Sequence, residues 1–104
     1  NGRPVDSCIY ATAAVDGLAV TTVEGLGGLD GSITPLQQSF VDHFAIKCGF
    51  CTPGLLLTLS ALLDANPTPD RKEIENAISG NLCRCTGYTQ IVEAVEAVSQ
   101  EERS

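Results

Sequence analysis

The sequence predicts a mainly α fold, a small four-helix bundle over residues 31–104. Three observations predict it. Helix start signals recur at Thr34-Pro35, Thr52-Pro53 and Thr68-Pro69, each an N-cap type followed by a proline at the first helical position. Apolar residues follow each start at helical spacing. Stop signals, Asn66-Pro67 and Gly80, come soon after.

Residues 1–30 read differently from the rest. Leu18-Ala19-Val20-Thr21-Thr22-Val23 is rich in β-branched residues and flanked by Gly17 and Gly25, which predicts a strand. Gly25-Leu26-Gly27-Gly28-Leu29-Asp30-Gly31 then carries four glycines and reads as a connector between two folding units. The first helix is expected from Pro35 to about residue 46, with Thr34 and Gln37 forming a capping box. Leu36, Phe40, Val41 and Phe44 would share its buried face. The second helix starts at Thr52-Pro53 and carries Leu55, Leu56, Leu59, Leu62 and Leu63. These nearly encircle it, so it is expected to be the most buried. The third begins at Thr68-Pro69, buries Ile74, Ala77 and Ile78, and ends on Gly80 as a C′ residue. The fourth runs from about Tyr88 to Gln100 through Ile91, Val95 and Val98, fraying where Glu101 and Glu102 oppose the macrodipole.

Composition narrows the function. A net charge of -7 and a pI near 4.4 exclude the clustered basic surface that nucleic acid or an anionic membrane selects. No apolar run approaches the roughly 20 residues of a spanning helix, and no signal-peptide pattern opens the chain. The chain begins at Asn1 and contains no Met, which reads as a fragment whose start lies upstream. With two Tyr, three Phe and no Trp, small aliphatic residues must supply the core. A core of that kind gains from a metal staple.

The cysteines carry the chemistry. There are five: Cys8, Cys48, Cys51, Cys83 and Cys85. An odd count with two tight pairs suits a metal site in a reducing compartment, the cytoplasm, better than a disulfide framework. Cys48-Gly49-Phe50-Cys51 precedes the second helix and Cys83-Arg84-Cys85 lies shortly before the fourth. Free backbone N–H groups and the positive end of a helix dipole meet thiolates there. Gly49, Gly54, Gly80 and Gly87 bracket both pairs and allow close backbone approach, and Arg84 adds a positive charge. A four-thiolate [2Fe-2S] cluster fits this setting. Two alternatives stand beside it: a structural zinc site, which also accepts four thiolates, and a thiol–disulfide oxidoreductase built on the Cys-x-x-Cys pair. A Rieske centre needs two histidines, and only His43 exists. Covalent haem needs His after Cys-x-x-Cys, where Thr52 stands. His43 is assigned no role. Glu93, Glu96, Glu101 and Glu102 read as a solvated face, and no arrangement for nucleophilic or general acid–base catalysis emerges, so no catalytic residue is assigned.

Cys48-Gly-Phe-Cys-Thr-Pro-Gly54 and Gly80-Asn-Leu-Cys-Arg-Cys-Thr-Gly-Tyr88, with Leu36-Gln37-Gln38-Ser39-Phe40-Val41 before them, resemble the small iron–sulfur subunit of the molybdenum hydroxylases. That family includes xanthine oxidase, aldehyde oxidoreductase and aerobic carbon monoxide dehydrogenase. The resemblance implies that Cys48, Cys51, Cys83 and Cys85 ligate a [2Fe-2S] cluster near a molybdopterin cofactor, with Cys85 beside the pterin as the point of electron entry. It implies that residues 1–30 are the C-terminal part of a plant-type (β-grasp) ferredoxin domain, lacking most of that domain's sequence. Cys8 would be the fourth ligand of a second [2Fe-2S] cluster whose other ligands precede Asn1; its other reading is a buried structural thiol. Lys47 stands where the family commonly has a pterin-contacting Gln, so the contact with the cofactor differs there. The implied assembly is a hetero-oligomer with a large molybdopterin-binding subunit and often an FAD-binding medium subunit.

Overall fold

The computed structural model describes residues 2–27, 30–82 and 88–103, without side-chain detail for 101–103. Four helices follow one another: α1 Pro35–Asp42, α2 Thr52–Ala65, α3 Arg71–Ala77 and α4 Thr89–Arg103. Two 3₁₀ turns precede them, Thr12–Val15 and Val23–Gly25. The mainly α expectation holds.

α1 starts as its sequence predicts. The Thr34 hydroxyl accepts from the Gln37 N–H at 3.2 Å, and the Gln37 side chain accepts from the Thr34 N–H at 2.7 Å. Its end comes four residues early, at Asp42. Phe44 adopts a left-handed conformation, φ 56°. The Ala45 N–H then reaches back to the Phe40 carbonyl at 2.9 Å, and the Phe44 N–H to Val41 at 3.3 Å. This is a Schellman closure, which normally places Gly at the left-handed position. Because a phenylalanine stands there, no stop signal is visible in the sequence. The closure also redistributes the expected face. Leu36, Phe40 and Ala45 are buried, whereas Val41 and Phe44 are exposed.

α2 begins after Cys51 as N-cap and stops at Asn66, as the Asn-Pro signal predicts. It is not the most buried helix; α4 is, through Ile91, Val92, Ala94, Val95, Val98 and Ser99. α4 packs against both α1 and α3, so two of its flanks are covered, while Leu62 and Leu63 of α2 stay partly open. α3 starts later than Thr68-Pro69. Asp70 caps it, with a capping box to Glu73, and Glu73 also accepts from the Asn66 side chain at 2.7 Å. α3 ends at Ala77 rather than on Gly80. The chain leaves through short turns, Ser79 N–H to Asn76 at 3.3 Å and Asn81 N–H to Ile78 at 2.9 Å. Gly80 is not among the glycines with positive φ. α4 continues past Gln100 to Arg103, so its backbone is helical where fraying was expected.

The core joins all four helices through Phe40, Leu55, Leu59, Ile74, Ile91 and Val95, each fully buried. A polar contact crosses it: the buried Ser39 hydroxyl of α1 donates to the Ala94 carbonyl of α4 at 2.7 Å. His43 Nδ1 lies 3.0 Å from the Ser39 carbonyl and 3.3 Å from Ser39 Oγ. With the Ser39 proton directed to Ala94, Nδ1 is the donor to both. The exposed Arg71–Glu96 pair at 2.6 Å adds at most about 1 kcal/mol.

The predicted strand over residues 18–23 is absent. Among the described residues there is no strand at all, and a strand needs a ladder partner for its N–H and C=O groups. Val23 and Leu26 do pack against the helical core, whereas Val5, Ile9, Leu18 and Val20 are exposed.

Two stability changes follow. Ser39→Ala should cost about 1–2 kcal/mol by losing a buried hydrogen bond, read as a lower denaturant midpoint at unchanged slope. Phe44→Gly should be neutral or stabilising by up to about 1 kcal/mol, because the left-handed position favours glycine; thermal unfolding would show it.

Candidate metal centre

The loop from Ala45 to Cys51 is held at both ends. Ala45 is buried at the α1 closure, and Cys51, half-buried, packs against the core as the N-cap of α2. Between them Gly49 takes φ +86°, with nothing near where a Cβ would stand. The left-handed glycine turns the chain so that the Gly49 carbonyl accepts from the Thr52 N–H at 3.4 Å and α2 starts. Cys48 is exposed. The first-turn N–H groups of a helix lack intrahelical partners and carry its positive end. Cys51, as the N-cap residue, stands at that end of α2.

A buried orphan lies at the same place. Thr52 is 8% exposed, and its hydroxyl finds no partner among the described residues. Burying a hydroxyl unpaired costs about 1–3 kcal/mol. An acceptor rich in electrons, such as thiolate or sulfide, is what that position lacks.

The second cysteine pair falls outside the described residues, which leave out 83–87 and therefore Cys83, Arg84, Cys85 and Gly87. Its flanks are described, and they meet the first pair's helix. A Cβ on Gly54, in the first turn of α2, would stand 3.2 Å from Asn81 Nδ2. The Tyr88 hydroxyl donates to the Asn81 carbonyl at 2.9 Å. Both ends of the Cys83/Cys85 segment are thus brought to the N-terminal end of α2. Among the described residues no three metal-ligating side chains converge. The described part of the candidate ligand set is Cys48 and Cys51, and its chemistry, two sulfurs at a helix N-terminus beside an orphaned donor, fits an anionic iron–sulfur group.

Lys47 is exposed beside Cys48. Cys8 is also exposed, in a turn closed by Ile9 N–H to Asp6 at 3.1 Å, so it is not a buried structural thiol. The cysteine loops are rimmed by exposed apolar side chains: Phe44 at 73%, Phe50 at 94% and Leu82 at 86%. Lys47 is the only Asp, Glu, Lys or Arg between Asp42 and Asp64, so the stretch that carries this loop and most of α2 holds no acid of its own. The sequence reads Thr52 as a helix cap, a place Cys51 takes instead with Thr52 as the first helical residue, reads Tyr88 only as the start of α4, and gives Asn81 no role; their burial and pairing emerge only in three dimensions.

Comparison with known proteins agrees with this geometry. The [2Fe-2S] binding domain family matches residues 22–96. The chain belongs to that family. It is 52% identical over 95 residues to the small subunit of nicotine 6-hydroxylase from Paenarthrobacter nicotinovorans, covering 91% of this chain and 56% of that protein. It is 50% identical over 95 residues to the small FeS subunit of nicotinate dehydrogenase from Eubacterium barkeri, covering 91% and 60%. The solved quinoline 2-oxidoreductase from Pseudomonas putida 86 superposes with a TM-score of 0.89 at 43% identity, covering 98% of this chain and 64% of that one. The resemblance to small iron–sulfur subunits of molybdenum hydroxylases therefore stands. The chain spans less than two thirds of the length of each of these proteins.

Gly49→Ala should cost about 1–2 kcal/mol from the left-handed conformation alone, since no neighbour is struck. It should also lower the iron retained per protein, read by metal analysis beside thermal unfolding.

Proposed function

We propose that this chain is the cluster-bearing part of an electron-transfer subunit in a molybdenum-containing oxidoreductase. Cys48, Cys51, Cys83 and Cys85 hold a [2Fe-2S] cluster. The subunit takes electrons from a molybdopterin site in a large partner subunit, with Cys85 nearest the pterin and Lys47 beside it. It passes them towards a second [2Fe-2S] cluster, to which Cys8 contributes the fourth ligand; residues 1–30 are the C-terminal part of a plant-type ferredoxin domain plus linker, and that cluster's other ligands precede Asn1. An FAD-bearing subunit or another acceptor follows. The observation that carries this reading is the Cys48–Cys51 loop, turned by a left-handed glycine onto the first turn of α2.

When bound, the cluster supplies one-electron storage. The chain's own residues supply the rest. The thiolates fix the site, the α2 N-terminus offsets negative charge, and the Thr52 hydroxyl offers a shielded donor. Phe44, Phe50 and Leu82 give a partner subunit an apolar surface around the cysteines. None of the described helices is long and apolar enough to cross a membrane, and we place the complex in the reducing cytoplasm, where thiolate ligands persist.

The alternatives have less support. A zinc-stabilised module leaves the match to a [2Fe-2S] binding family without explanation. A thioredoxin-like enzyme needs strands around its Cys-x-x-Cys, and α1 and α2 flank it instead.

Iron and acid-labile sulfide should be present in equal amounts, with an EPR signal on reduction. Zinc without sulfide, and no signal, would overturn the proposal. Cys51→Ser should lose most of this cluster's iron, and Cys83→Ser should abolish electron exit from the molybdenum site while leaving the large subunit folded.

A further inference from the structure

Asn81 and Tyr88 bound the segment that carries Cys83 and Cys85, and they are tied to one another. The Tyr88 hydroxyl donates to the Asn81 carbonyl at 2.9 Å, in a partly buried setting. Asn81 is fixed on two more sides. Its N–H donates to the Ile78 carbonyl at 2.9 Å, where the chain leaves α3. Its side-chain amide lies so near the first turn of α2 that a Cβ on Gly54 would come within 3.2 Å of Nδ2. Tyr88 in turn packs against the hydrophobic core, and its carbonyl accepts from the Val92 N–H at 3.0 Å as α4 begins. Three helices thus converge on one short span of chain.

The backbone shows that this closure is imposed. Tyr88 holds φ +73°, a left-handed conformation that costs an L-residue roughly 1–2 kcal/mol. Such strain persists only where the surroundings over-determine it. The ring in the core and the hydroxyl on Asn81 are the constraints in view. Together they hold Tyr88 to Asn81, the described flanks of that segment, near the first turn of α2.

We propose that Tyr88 is a positioning residue for the cluster: its hydroxyl, bonded to Asn81 against Gly54, fixes the two ends of the Cys83/Cys85 segment beside the α2 N-terminus. This rests on the ligand set proposed above. A loop whose ends are pinned has fewer ways to present its two sulfurs, so the cluster meets one thiolate arrangement rather than several. The same bond read as a mere staple would stabilise the fold and leave the cluster's electronic environment untouched.

The test separates those outcomes in the intact iron–sulfur subunit within its complex. Tyr88→Phe removes one oxygen and keeps the ring. It should speed iron release to a chelator about two- to tenfold, the factor that corresponds to one net hydrogen bond, and change the EPR signature of this cluster on reduction. Gly54→Ala pushes on Asn81 from the other side and should change the same signature. Ser39→Ala, placed between α1 and α4 away from the loop, should lower the unfolding midpoint with an unchanged signature. An unchanged signature in Tyr88→Phe overturns the proposal, whatever happens to stability. Should Tyr88→Phe fail to assemble, Gly54→Ala decides alone, and an unchanged signature there overturns it equally. Wild-type protein without iron and sulfide would instead sink the ligand set itself, before any variant is compared.

Discussion

The close approach between the first turn of α2 and Asn81 is the constraint on which the rest of the site depends. α2 carries Cys51 at its N-terminus, and Asn81, which the chain reaches on leaving α3, comes to the first turn of the same helix. Gly54 lets the two segments meet at this distance; a Cβ there would stand 3.2 Å from Asn81 Nδ2 and make the amide shift. The remainder of the fold serves this meeting. α4 packs against α1 and α3, the buried Ser39 hydroxyl ties α1 to α4, and the start of α4 places Tyr88 where it reaches Asn81.

Backbone strain is distributed in a way that matches this design. The two non-glycine residues with positive φ, among those described, are Phe44 and Tyr88. One stands just before the first cysteine loop and the other just after the second. Each costs roughly 1–2 kcal/mol, offset by apolar burial nearby: Phe40 and Ala45 at the α1 closure, and the core packing of the Tyr88 ring. A small aliphatic core therefore stabilises two unfavourable turns whose use is to orient what lies between them.

The sequence was most readable where a local rule acts alone. The Thr34–Gln37 capping box, the Asn66-Pro67 stop and the four-helix count follow from nearest neighbours and were recovered. Misreadings arose where tertiary packing overrode local preference. Phe44 closes α1 with a residue that sequence rules reserve for glycine, so α1 was drawn too long and Val41 placed inside. Asp70 competed with Thr68-Pro69 for the start of α3 and won through its box with Glu73. The β-branched run at 18–23 has strand propensity, but propensity forms no ladder without a partner. Near the site, the placement of Cys48, Gly49 and Cys51 just before α2 is legible from spacing. The orphaned Thr52 hydroxyl and the Asn81–Tyr88 bond were not, because nothing in a linear motif records burial or which carbonyl a phenol will meet.

The gap in acidic residues between Asp42 and Asp64 makes the molecule electrostatically lopsided. In a chain of net charge -7, the stretch that carries Cys48 and Cys51 has Lys47 as its one Asp, Glu, Lys or Arg. In solution such a body has a preferred approach. An acidic surface is repelled at long range by the net negative charge of the chain and least by this stretch, which orients encounter before contact begins. Added salt shortens the reach of that orientation, with a Debye length of about 8 Å at physiological ionic strength. It would leave an apolar contact through Phe44 and Phe50 largely intact. Rate of assembly and strength of assembly are thereby governed by different residues, and a change of ionic strength should move the first far more than the second.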